Sequence, residues 1–114
     1  MGPADCIFCL IASGSAPAKK VYEDDKIVAF HDIHPKAPVH VLVIPKKHVA
    51  TLTEYLPEDA DLLGKMMLLL PQIAKTLGIT ARGYKVVINT GKEAGQVVFH
   101  FHIHLLGGGT IEEV

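Results

Sequence analysis

Tryptophan is missing from these 114 residues, and cysteine occurs only twice. Cys6 and Cys9 are too few to staple a disulfide scaffold, and a chain this rich in core formers does not need one. An excess of one charge is missing as well: 11 basic residues face 12 acidic ones, for a formal net charge of -1. Such a balance supplies no field to hold a nucleic-acid backbone or an anionic membrane, so neither is expected as a partner and any bound phosphate must be held locally. No apolar run approaches the roughly 20 residues of a membrane span. Met1 to Cys6 has neither a basic region nor an apolar region of a signal peptide, and Cys6 stands where a myristoylation signal wants Ser or Thr, which points to the cytoplasm. Repeats, linkers and polar low-complexity tracts are also lacking. With 49% hydrophobic and 20% charged residues, the expectation is one globular domain spanning residues 1–114.

Local patterns divide that domain into elements. Ile7, Phe8, Leu10 and Ile11 are spaced for a short helix over Cys6 to Ser13, with Asp5 as N-cap and Gly14 as stop. Val21-Tyr22 and Lys26 to Phe30 flank the acidic turn Glu23-Asp24-Asp25 and read as strands, as does the β-branched run His40 to Ile44. From Pro57 to Leu77, apolar residues recur at three- and four-residue spacings, which predicts one long helix ended by Gly78 and kinked or broken at Pro71. Tyr84 to Asn89 and Val97 to Leu106 are the remaining strands, joined by a glycine-containing loop. The class is α+β, an antiparallel sheet with helices mainly on one face.

His100, His102 and His104 alternate with Phe101, Ile103 and Leu105. On a strand this puts three imidazoles on one face, about 6 to 7 Å apart. One can attack a phosphorus, a second can donate to its oxygens, and a third can bind another group. A half-solvated strand that happens to be rich in histidine is the plain alternative, and a catalytic zinc site built on His-x-His is another. Gly91-Lys92-Glu93-Ala94-Gly95-Gln96, just upstream, favours phosphate chemistry, because its glycines allow backbone amides to approach an anion closely. Asp32 and His40 stand at strand ends, Asp32 where a carboxylate could accept from ribose hydroxyls.

The run Gly95 to Leu106, with its three alternating histidines, resembles the signature of the histidine-triad (HIT) superfamily. His31-Asp32-Ile33, Pro38-Val39-His40, Ile44-Pro45-Lys46-Lys47-His48 and Gly107-Gly108 are similar to the Hint branch, the purine nucleoside phosphoramidate hydrolases. The resemblance implies a five-stranded antiparallel sheet with one short and one long helix, and a homodimer whose sheets join into ten continuous strands. It implies a purine base lying against Ile7, Phe8, Ile11, Phe30, Ile33 and Leu42, with Asp32 on the ribose. Asn89, Gly95, Gln96 and Val97 would surround the phosphate. His102 would be the nucleophile, His104 its phosphate-side partner and His40 a support of the proton network. The substrate would be an AMP or GMP conjugate, cleaved without a catalytic metal. Val97 departs from the serine usual in Hint proteins, which removes a hydroxyl donor and implies an altered leaving-group preference or slower turnover. A nucleotide-binding module with little turnover and a nucleotidyl transferase are the alternatives.

Cys6-x-x-Cys9 alone fits buried small residues, a redox pair or half of a zinc site. Relatives within the superfamily complete a tetrahedral zinc site with a histidine after the Ile-Pro-Lys segment and the first triad histidine. Those positions are His48 and His100, so the resemblance implies a closed, structural Zn2+ on Cys6, Cys9, His48 and His100.

Overall fold

Five short strands, each too small to stand alone, are assembled here into one antiparallel sheet. The structure, a computed structural model, describes residues 5–111; residues 1–4 and 112–114 of the expected domain lie outside it. The elements in chain order are α1 (Ile7–Ala12), β1 (Lys20–Glu23), β2 (Ile27–His31), β3 (Val39–Pro45), α2 (Ala60–Thr76), β4 (Tyr84–Val87) and β5 (Ile103–Gly107). Their spatial order is β1-β2-β3-β5-β4. Strand β5, last in sequence, is thus inserted beside β3, in the register Leu42 opposite His104 and His40 opposite Leu106. No described helix is long and apolar enough to cross a membrane.

Alternation along β2 and β3 gives the sheet two apolar faces. Ile27, Ala29, Val41 and Val43 pack with Met66, Leu69, Leu70 and Ile73 of α2, forming the larger core. The intervening Val28, Phe30, Leu42 and Ile44 pack with Cys6, which precedes α1, and with Phe8 and Ile11 of α1 on the other side. Both faces are therefore covered, one by each helix, where the sequence suggested helices mainly on one. The difference matters for the site, because it brings the two cysteines to the histidine side of the sheet.

Three local expectations are corrected. The N-cap of α1 is Cys6, not Asp5: its sulfur accepts the Cys9 backbone N–H at 3.2 Å. Helix α2 begins at Ala60, after a separate 3-10 turn over Pro57–Asp59, and runs unbroken through Pro71 to Thr76. Both Pro71 and Met67 are exposed, so water can take up the Met67 carbonyl that the proline leaves without a donor, and no break is needed. The last strand begins only at Ile103. His100 and His102 precede it, on a bent segment that carries no strand ladder. Residues 100–103 are all buried, so the alternation of faces read from the sequence is not realised there.

Gly107 ends β5 directly over Ile79. A β-carbon built on it would lie 2.7 Å from Ile79 Cδ1 and 3.0 Å from Ile79 Cβ. Ile79 is itself buried and has little room to retreat. Gly107→Ala is expected to cost about 1–3 kcal/mol through overpacking, read as a lower urea midpoint with an unchanged m-value.

Candidate functional site

A cavity of about 690 Å3 opens on the α1 side of the sheet. Ile7, Phe8 and Ile11 of α1, with Phe30 and Leu42 of the sheet, form its apolar wall. Asp32, His40, Asn89, Gly95, His102 and His104 supply its polar side. Ile33 and Val97 also line it, and both are almost wholly solvent-exposed, at 85% and 86%. Exposed aliphatic side chains bordering a cavity gain free energy if a ligand covers them.

The polar side is organised by hydrogen bonds that fix where each imidazole keeps its proton. The Lys36 backbone N–H donates to His40 Nδ1 at 3.0 Å. That nitrogen is an acceptor, so the His40 proton sits on Nε2, 2.9 Å from His104 Nδ1. His104 then accepts on Nδ1 and carries its own proton on Nε2, available as a donor. Asp32 Oδ2 lies 3.5 Å from the same His40 nitrogen, while Asp32 Oδ1 accepts the His34 backbone N–H at 2.8 Å. His102 is held differently. Its Nδ1 lies 2.8 Å from the His100 carbonyl oxygen. A carbonyl only accepts, so the proton is on Nδ1 and the lone pair on Nε2.

Burial keeps these rings neutral. It lowers His102, against the opposing pull of the His100 carbonyl and the Asp32 charge. His104 is pushed down to about 4, first by burial and then by its proximity to His102 and His40. His40 is lowered too, chiefly by burial, with Asp32 opposing. The His102 and His104 rings lie 4.9 Å apart between centroids. A neutral nitrogen lone pair beside an N–H donor is the pairing needed to attack an electrophile whose oxygens carry charge.

The glycine loop upstream is braced from within. Gly91 and Gly95 have φ of +90° and +91°, the region where glycine alone is unstrained. Asn89 Nδ2 donates to the Ala94 carbonyl at 2.8 Å. Gln96 was expected among the substrate contacts, but its side chain is buried and turned to the protein. Its Oε1 accepts the Gly91 N–H at 2.9 Å, and its Nε2 donates to the carbonyls of Ala50 and Val98 at 2.8 and 3.1 Å. An amide with two donor hydrogens and an acceptor is thereby fully used in tying the loop to the chain after β3. His31, His34 and Lys36, to which the sequence assigned no role, also line the cavity. The Asp-x-His-Pro turn chemistry at Asp32 was a usable signal for that placement.

His100 points away from its neighbours, into a separate cluster. Its Nδ1 lies 3.3 Å from Cys6 Sγ and 3.4 Å from Cys9 Sγ, and His48 Nδ1 lies 3.1 Å from Cys9 Sγ. All four ligand atoms fall within 4.8 Å of one another. In a tetrahedral zinc site, bonds near 2.3 Å to sulfur and 2.1 Å to nitrogen separate the two kinds of donor by about 3.6 Å, so only small adjustments would be needed. The outer contacts fit as well: His100 Nε2–H donates to the Pro45 carbonyl at 2.8 Å, and the Cys9 N–H points at Cys6 Sγ. Such bonds orient metal ligands and stabilise thiolate charge. Without a cation, burial and the neighbouring Cys6 raise Cys9 to about 11; a bound dication would reverse that preference.

The HIT domain family model matches residues 13–111. Protein HitA of Neisseria gonorrhoeae is 55% identical over 103 residues, covering 90% of this chain and 95% of the relative. The crystal structure of a HIT family hydrolase from Legionella pneumophila superposes with a TM-score of 0.92 at 44% identity, covering 95% of this chain and 96% of the other. A zinc-bound histidine triad family protein from Mycobacterium smegmatis gives a TM-score of 0.79 at 38% identity, covering 93% and 76%. The loop brace supplies a test at this level. Gln96→Ala is expected to cost about 1 kcal/mol or more by leaving three partly buried partners without the amide and to speed hydrogen exchange at the Gly91 amide, whereas Val97→Ala should stay within about 0.5 kcal/mol of the parent.

Proposed function

Because the chain belongs to the HIT domain family, we propose that it is a purine nucleotide hydrolase that cleaves phosphoramidates and related conjugates at the α-phosphorus. The observation that carries this reading is the His102 Nδ1–H bond to the His100 carbonyl, which leaves a neutral Nε2 lone pair in a cavity with an apolar wall. A base would lie against Ile7, Phe8, Ile11, Phe30 and Leu42, with Ile33 folding over it. The free electron pairs of Asp32 would take the ribose hydroxyls.

His102 Nε2 attacks the phosphorus and the P–N bond of the substrate breaks as that nitrogen takes a proton from solvent at the open side of the cavity, giving the free amine and a nucleotidyl-histidine. Positive charge then grows on the ring, and the His100 carbonyl is already placed to stabilise its Nδ1–H. The His104 Nε2–H and the amides of the glycine loop meet the charge on the phosphate oxygens. Water completes the cycle: its oxygen bonds to phosphorus, the P–N bond to His102 breaks with the electron pair returning to Nε2, one hydrogen stays with the nucleoside monophosphate and the other replaces the proton that the amine took from solvent. Val97, 86% exposed and without a hydroxyl, favours a second reading in which nucleotide is bound but turned over slowly.

Cys6, Cys9, His48 and His100 would hold zinc as a closed four-ligand set, supplying cohesion between α1 and the sheet and no reacting group. For the dimer, β4 is an edge strand and Val86 on it is exposed. Pairing two β4 edges would extend the sheet across a two-fold axis.

Incubation with an adenosine or guanosine phosphoramidate tests the main reading. Wild type should release the monophosphate, and His102→Ala should lose about 10^3-fold or more in kcat; equal rates would refute the assignment, and binding without release would favour the slow module. Elemental analysis of protein purified without chelator should find about one zinc per chain, falling in Cys9→Ser together with thermal stability. Sedimentation should show a dimer that Val86→Lys weakens.

A further inference from the structure

His100 faces two sites at once. Its imidazole is fully buried among Cys6, Cys9 and His48, with Nε2–H donated to Pro45. Its carbonyl, on the opposite side of the same residue, accepts the proton of His102 Nδ1. In a free neutral imidazole either nitrogen can carry the proton, so the form with its lone pair on Nε2 must be selected by an acceptor placed at Nδ1. The direction of that carbonyl is consequently a functional quantity.

Two ties set it, and both lead to the cluster. Residues 97–102 have no strand ladder; the Phe101 N–H donates to the Val49 carbonyl at 2.6 Å, and Gln96 donates to the Val98 carbonyl. The first of these bonds holds the very peptide unit that carries the His100 carbonyl, because the C=O of residue 100 and the N–H of residue 101 share one plane, and its acceptor is Val49, the residue after His48. The other tie is the seating of the His100 ring itself among the thiols and against the Pro45 carbonyl. A second connection runs through α1, where Phe8 lies between the two cysteines in sequence. The Phe8 ring meets His102 edge-on at 5.1 Å and His100 at 6.0 Å, and it is also part of the cavity wall.

We propose that the Cys6–Cys9–His48–His100 cluster positions the nucleophile: when a tetrahedral divalent ion such as zinc fills it, His100 is locked, its carbonyl is aimed, and His102 is held in the Nδ1–H tautomer. His100 is a positioning residue, acting through His102. This rests on the reading of His102 as nucleophile, but it makes a claim that turnover alone does not test. A cluster that serves only as a fold staple would change stability on metal loss and leave the tautomer alone. A positioning cluster changes the tautomer in molecules that are still folded.

The experiment uses the full chain with 15N-labelled histidine, in three forms: zinc-loaded wild type, chelator-stripped wild type and zinc-loaded His100→Asn. All are kept in sucrose, which favours the folded state by exclusion from its surface. The substitution leaves Cys6, Cys9 and His48 to retain metal, so it remains informative if the stripped chain unfolds. Long-range 1H–15N spectra should show a single Nδ1–H pattern for His102 in the loaded wild type and a mixture of tautomers in the other two. Zinc added back to the stripped protein should restore the single pattern. On an adenosine phosphoramidate, kcat should fall roughly tenfold while KM changes less than about twofold. An unchanged His102 tautomer in a folded stripped sample, or in His100→Asn, would overturn the proposal. Absence of turnover in every form, with the tautomer shift present, would instead count against the hydrolase reading and leave the positioning role standing.

Discussion

A proton on His102 Nδ1 and a carbonyl oxygen 2.8 Å away, two residues back in the same chain, constrain the whole cavity. The acceptor belongs to the backbone, so it titrates at no pH and cannot be lost by a side-chain rotation. It decides which nitrogen of His102 carries a lone pair, and it stands ready for the charge that develops if that lone pair attacks. The second fixed proton, on His104 Nε2, is set by another backbone group, the Lys36 N–H, relayed through His40. Two main-chain atoms thus determine the donor and acceptor pattern of three imidazoles.

The fold serves this arrangement by bringing distant segments to one place. Inserting β5 next to β3 sets His104 opposite Leu42 and His102 close to α1. Covering the second sheet face with α1 supplies both an apolar wall and two sulfurs. Burial then lowers the proton affinity of the rings, and the same burial favours acceptors for the His102 Nδ1–H and His40 Nε2–H, leaving the His104 Nε2–H turned to a ligand. Stability and chemistry draw on one set of hydrogen bonds here.

Much of this was legible in the sequence, for particular reasons. The β-branched run at 40–44 and the heptad-like spacing from Leu62 to Leu77 gave β3 and α2, since hydrophobic period is a local property. Asp32 was expected at the sugar, Asn89, Gly95 and Val97 around the phosphate and His40 in the proton network, and all line the cavity. Cys6, Cys9, His48 and His100 were expected together and do converge. What the sequence could not reveal depended on tertiary partners. The bent path through His100 and His102 results from ties to Val49, Pro45 and the thiols, which override the strand pattern of Val97 to Leu106. Gln96 faces inward because Gly91, Ala50 and Val98 need its amide, and the role of the Lys36 N–H rests on backbone direction, which no side-chain pattern records.

The central claim is that His102 bonds covalently to the nucleotide, and intact-protein mass spectrometry of a rapidly quenched reaction tests it most directly. Mixing the protein with an adenosine phosphoramidate and quenching in alkali, where a phosphorus–nitrogen bond to histidine survives, should reveal a transient adenylyl adduct that maps to the peptide carrying His102 and is missing in His102→Ala. Turnover that proceeds with no adduct at any time, or with an adduct on another residue, would contradict the account.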